Sequence, residues 1–161
     1  MIEQRLAQKL LQHSFTICLA ESCTGGLIAK RLTDQAGCSA YVVGGVVAYA
    51  NSVKEQVLGV SHHTLETYGA VSAETALEMA EGARRLLGAD IALSITGIAG
   101  PGGGSPTKPV GLTYMGLATP THPTQTFRYV WAGDRETVRM HSATQALQLV
   151  LDWLETLEQS F

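Results

Sequence analysis

Three short runs rich in β-branched and apolar residues, TICLA (16–20), YVVGGVVAY (41–49) and DIALSIT (90–96), are separated by stretches whose apolar residues recur with helical period. Parallel strands need long crossover connections and helices are the usual crossovers, so this alternation constrains the chain to an α/β sheet covered by helices. The helical period marks residues 2–13, 25–35, 73–88 and 135–158, the last with Leu147, Val150, Leu151 and Leu154 on one face. Two further strands, VGLTYMGLA (110–118) and TFRYVWA (126–132), flank TPTHPTQ, which is short and Pro-rich enough for an antiparallel hairpin. The expected architecture is a three-layer α/β/α sandwich around a mixed, mostly parallel sheet, as one domain over 1–161. With 161 residues, 45% of them hydrophobic, the chain is long enough to bury one full core.

Charge narrows the partners. The net charge is −3 and the Lys and Arg residues are scattered, which offers no basic footprint for nucleic acid or an anionic membrane. MIEQRLAQKLLQHS carries charges throughout, unlike a signal peptide or membrane span, so the expected location is cytoplasmic. Cys18, Cys23 and Cys38 lack CxxC spacing and read as reduced thiols; His62 and His63 are adjacent, without an HExxH pattern, so no metal site is expected.

Four constellations carry chemistry. In LAESCTGGLIAK (19–30), Thr24 is placed to cap a helix starting at Gly25 and Gly26, leaving N–H groups free to cradle an anion; Glu21 either orients a ligand hydroxyl or caps a turn. The pattern is neither GxGxxG nor a Walker loop, and a plain strand-to-helix turn fits equally well. Cys23 lies near a helix start, which lowers thiol pKa values, but a small buried thiol is the simpler reading. In CSAYVVGGVVAYANSVKEQVLGV (38–60), Ser39 precedes a strand and Tyr49 ends it, while Ser52 and Glu55 fit a capping box that places Lys54 in a first helical turn. The helix dipole there disfavours an ammonium. A free lysine is only about 0.04% neutral at pH 7, and a shift of roughly three units would raise that about a thousandfold; the dipole supplies about half, leaving desolvation or another cation for the rest. A solvated helix lysine and a strand tyrosine are the plain alternative.

The third constellation is Thr96 and the glycine loop SITGIAGPGGGSPTKPVG, at the carboxyl end of a strand, where α/β sheets commonly bind ligands. Thr96 is a candidate donor, Gly97, Gly100 and Gly102 are positions of close backbone approach, and Lys108 reads as a solvated loop residue. The fourth is WAGDRETVRMHSA, with Asp134 as an N-cap and Arg135 in the first turn, a placement that suits pairing with a phosphate or carboxylate as well as a surface contact with Asp; Arg139 and His141 read as helix-surface residues.

Taken together, AESCTGG, YANSVK, GAVS, SITGIAGPGGG, KPVG and GDR resemble the CinA C-terminal domain family of nicotinamide-nucleotide amidases across nearly the whole chain. The resemblance implies hydrolysis of the carboxamide of nicotinamide mononucleotide to nicotinate mononucleotide and ammonia, without metal or organic cofactor, by a homo-oligomer. By matched position it puts the catalytic serine at Ser39, the lysine at Lys54 and the tyrosine at Tyr49, with Ser22, Thr96 and Arg135 at other active-site positions. Many relatives appear with a second hydroxyl residue where this chain has Cys38, and Ser22 stands as the rival nucleophile. Lacking the larger N-terminal domain of many relatives, the chain reads as a stand-alone form. The alternative is a nucleotide-sensing or partner-binding module that keeps the fold without the reaction.

Overall fold

A computed structural model describes residues 1–159. The helices are α1 (Ile2–His13), α2 (Leu27–Thr33), α3 (Asn51–Gln56), α4 (His62–Tyr68), α5 (Ala73–Leu87) and α6 (Arg135–Glu158). The strands are β1 (Ile17–Glu21), β2 (Val42–Val47), β3 (Ile91–Gly97), β4 (Leu112–Ala118) and β5 (Gln125–Val130), in the spatial order β2-β1-β3-β4-β5. β1 runs parallel to both β2 and β3, while β4 is antiparallel to β3 and to β5, so only β4 is reversed. The sheet is mixed and mostly parallel, as the alternating pattern implies.

Burial follows position. β1, an interior strand covered on both faces, is buried at all five residues, whereas β2 on the edge alternates half-buried and exposed residues. One face packs Leu6 and Leu10 of α1, Ile28 and Leu32 of α2, and Leu147, Val150 and Leu154 of α6 against Ile17, Leu19, Ile91 and Leu93. On the other face Met79, Ala80 and Ala83 of α5, with Leu58, Val60 and Leu65, cover Cys18, Ala20 and Ala92. These two cores make the three layers.

The α5 face relies on small residues. A Cβ at Gly116 would stand 2.5 Å from the Ala76 carbonyl oxygen and 2.6 Å from Ser94 Oγ, and Ser94 itself donates to that carbonyl. α5 therefore lies closer to β4 than any side chain at 116 permits. Gly116→Ala should cost about 1–3 kcal/mol of stability through overpacking, while Gly102→Ala, with open space around it, should stay within about 0.5 kcal/mol. Urea denaturation midpoints of the two variants check this difference.

Candidate active site

The carboxyl ends of β1, β2 and β3 lie side by side, with Glu21 across from Val47 and from Ile95. The segments leaving them are stitched together: Ser22 N–H donates to Ile95 O at 3.0 Å, and Ala48 N–H donates to Glu21 O at 2.8 Å. Ser22 and Lys54 thus meet because two parallel strands end in register. Lys54 is 1% exposed, and its Nζ donates to Ser22 Oγ at 2.9 Å, Ala48 O at 2.8 Å and Tyr49 O at 2.9 Å.

These three partners satisfy either protonation state. An ammonium donates to all three, whereas a neutral amine donates to the two carbonyls and accepts the Ser22 hydroxyl proton on its lone pair. Burial pushes the Lys54 pKa below the ordinary lysine value, opposed by the neighbouring Cys23. Desolvation, which the sequence required beside the helix dipole, is the largest cause. The capping box is absent as well: the N-cap of α3 is Ala50, with no side-chain cap bond, and Glu55 accepts from His62 Nδ1 instead.

Ser39 is not at this site. It lies exposed in the 3-10 turn Cys38–Ala40 before β2. Since Val42 aligns with Ile17 and Val47 with Glu21, roughly 17 Å of strand separates the Ser39 end of β2 from the Lys54 end. Within the chain, the hydroxyl beside the Lys54 amine is therefore that of Ser22 and not that of Ser39. The Tyr49 hydroxyl is hydrogen-bonded to Arg135 rather than to the amine. Tyr49 is 60% exposed, its hydroxyl accepts from Arg135 Nη2 at 3.3 Å, and only its backbone carbonyl serves Lys54.

The expected anion cradle is filled from within the chain. Glu21, buried at the end of β1, accepts from Ile28 N–H (Oε1, 2.9 Å), Ala29 N–H (Oε2, 2.9 Å) and Thr24 Oγ1 (2.6 Å). A carboxylate thus already occupies the start of α2, whose N-cap is Gly26 at φ 103°, not Thr24. Of the residues expected to bind substrate, Ser22, Thr96, Gly97 and Arg135 line one cavity of about 200 Å³, together with Cys23, Tyr49, Lys54, Ala70, Val71 and Ala99. Thr24, Gly25, Gly26, Gly100 and Gly102 are not in its lining, although Gly100 O accepts from Arg135 Nη1 at 2.9 Å.

Thr96 Oγ1 donates to Ala70 O at 2.8 Å, so its proton is committed and its oxygen presents lone pairs. In this arrangement it offers the cavity an acceptor, where the sequence suggested a donor. Cys23 is buried and its thiol is pushed up to about 12, chiefly by burial, which leaves essentially no thiolate near neutral pH. Lys108 is half-buried and donates to Tyr68 O, so it is not a free loop cation. Arg139, read from sequence as a surface residue, donates from Nε to Cys23 O at 3.1 Å and from Nη2 to Thr24 O at 2.9 Å. Its spacing of four from Arg135 is the one signal that pointed to a shared helix face. A larger cavity, about 630 Å³, lies at the other end of the sheet, lined by Arg84, Arg85, Asp90, Thr119 and His122 among others. It holds no hydroxyl beside a buried amine.

Fold and site define an α/β protein with a buried serine–lysine pair at the carboxyl end of its parallel strands. The chain belongs to the CinA C-terminal domain family, whose sequence model matches residues 1–154. It is 49% identical over 154 residues to a CinA-like protein of Leptospira borgpetersenii serovar Hardjo-bovis, covering 96% of this chain and 37% of the relative. A CinA-like protein of Geotalea uraniireducens is 50% identical over 153 residues, covering 95% and 35%. The chain thus spans little more than a third of the curated relatives it matches. Among solved structures, a competence-damaged protein (CinA) superfamily member from Klebsiella pneumoniae superposes with TM-score 0.92 at 34% identity, covering 96% of each chain. The competence/damage inducible protein CihA from Agrobacterium tumefaciens gives 0.90 at 40% identity, covering 96% and 95%. No helix among the described residues is long and apolar enough to cross a membrane.

Burial of Lys54 has a consequence for stability. Between its lowered folded pKa and the unfolded value near 10.4, the unfolded chain binds one more proton, so this residue makes stability rise with pH across that window. Urea unfolding of the wild type should therefore gain on Lys54→Met as pH increases toward about 10.4. Parallel pH curves for the two proteins would contradict a depressed lysine.

Proposed function

We propose that the chain is an amidohydrolase that converts nicotinamide mononucleotide to nicotinate mononucleotide and ammonia, with Ser22 as nucleophile and Lys54 as base. The observation that carries this reading is the 2.9 Å contact from Lys54 Nζ to Ser22 Oγ inside a cavity. In the reacting form, the neutral amine takes the Ser22 proton as Oγ bonds to the carboxamide carbon. Lys54 returns that proton to the leaving nitrogen, the C–N bond breaks and ammonia departs. Water then attacks the acyl ester, giving its proton to Lys54. The ester bond breaks, Ser22 recovers a proton and the carboxylate product is released.

Other features of the site suit the same substrate. The Thr96 oxygen, with its own proton spent on Ala70, can accept from a carboxamide NH2. Cys23, Gly97 and Ala99 line the same cavity, and their backbone N–H groups are the candidates to stabilise an oxyanion there. At about 200 Å³ the cavity is smaller than the roughly 300–1,000 Å³ that encloses a drug-sized ligand, so it suits the pyridine carboxamide with the ribose phosphate extending outward. Arg135 stands at that mouth, held by the neutral Gly100 carbonyl and the Tyr49 hydroxyl, and can exchange them for phosphate oxygens. With α2 already capped by Glu21, Arg135 is the better phosphate ligand of the two considered from sequence.

Ammonia release from nicotinamide mononucleotide tests the proposal. Ser22→Ala should lower turnover at least about a thousandfold, while Ser39→Ala should remain near wild type. The opposite pattern would restore Ser39, and tight nucleotide binding without any ammonia would favour the non-catalytic module. The rate should also climb with pH as Lys54 loses its proton, with an inflection below about 10.4.

A further inference from the structure

We propose that Arg139 is a positioning residue: its guanidinium sets the turn that aims Ser22, without touching substrate. This rests on the reading of Ser22 as the nucleophile. Arg139 donates to two successive carbonyls, Cys23 O and Thr24 O, immediately after Ser22. A peptide unit is planar and trans, so its N–H points opposite to its C=O. Drawing both carbonyls toward α6 turns the N–H groups of Thr24 and Gly25 away from that helix, and the Gly25 N–H donates to Ser22 O at 3.1 Å. A chain of contacts therefore runs from Arg139 through the 24–25 peptide to the backbone of Ser22.

That turn needs an external hold. Gly25 (φ 59°) and Gly26 (φ 103°) occupy left-handed conformations that glycine adopts easily and leaves easily. A Cβ at Gly25 would approach Arg139 Nη2 to 3.5 Å, so the guanidinium lies directly over the turn. The planar fork reaches two acceptors at once, which an ammonium cannot do in the same geometry. The packing of α2 against α6 does not depend on it, because Ile28, Leu32, Ala143, Ala146 and Leu147 already form that core. Removing the guanidinium should loosen the turn and leave the fold in place.

The test uses the full chain and two readouts. One is steady-state ammonia release from nicotinamide mononucleotide. The other is the rate at which a fluorophosphonate labels Ser22, forming the Oγ–P bond with loss of fluoride, which does not depend on the natural substrate. Arg139→Lys and Arg139→Ala should each lower kcat and the labelling rate about 100-fold, the scale of a small misplacement of reacting groups, with KM changed less than about threefold. Millimolar ethylguanidinium should restore part of both rates in Arg139→Ala but not in Arg139→Lys, whose side chain fills the space. Folded variants that label within about twofold of wild type would overturn the inference, as would losses that only follow the folded fraction and resist rescue. If the wild type labels at Ser22 but releases no ammonia, the amidase reading fails and the labelling comparison still decides the role of Arg139. A wild type that does not label at Ser22 overturns both.

Discussion

The site depends on a lysine amine buried without a carboxylate partner among the described residues. An ammonium taken out of water is costly unless every proton finds an acceptor, and Lys54 meets that demand with two carbonyls and one hydroxyl, all uncharged. A carboxylate in place of Ser22 would hold the lysine protonated and stable; a hydroxyl leaves the proton poorly held. Glu21, buried one residue before Ser22, obeys the same rule with opposite sign, its oxygens filled by two amides and a threonine. An acidic and a basic side chain thus sit near one strand end, each hydrogen-bonded to neutral groups.

This arrangement follows from strand register. β1 and β2 are parallel and aligned, so the turn carrying Ser22 and the carbonyls of Ala48 and Tyr49 are brought to the same level of the sheet. The first turns of α6 reach the segments that leave β1 and β3. Arg135 holds the glycine loop through Gly100, and Arg139, one turn further along, holds the turn after Ser22. Loops that contain many glycines and few apolar anchors are otherwise poorly ordered, so a helix anchored in the core through residues such as Leu147, Val150 and Leu154 supplies rigidity to both loops.

The fold was legible because its signal is periodic. α1 and α6 match their expected ranges, 2–13 and 135–158, and each strand lies within a residue or two of its run. The site was legible in part. Lys54, Ser22, Thr96 and Arg135 do converge, whereas Ser39 lies away from them, and that difference was already in the chain order: Ser22 follows its strand and Ser39 precedes one. Strand polarity alone separates them, since the carboxyl ends of parallel strands share one edge. Other errors came from groups that satisfy one another. Nothing local reveals that Glu21 reaches forward seven and eight residues to cap α2, or that the Thr96 proton goes to Ala70, 26 residues away. Arg139 looked like a surface residue because its acceptors are backbone atoms 115 and 116 residues earlier.

The proposed chemistry turns on how readily the Lys54 amine gives up its proton, and that can be read directly. Selective 13C labelling of lysine Cε, with Lys54 assigned by its loss in Lys54→Met, follows the titration of this one amine in the intact protein. A midpoint displaced below the free-lysine value near 10.4, and moving again when Ser22 is replaced by alanine, is the predicted result. A midpoint at or above 10.4 that ignores the serine would contradict a lysine able to act as base.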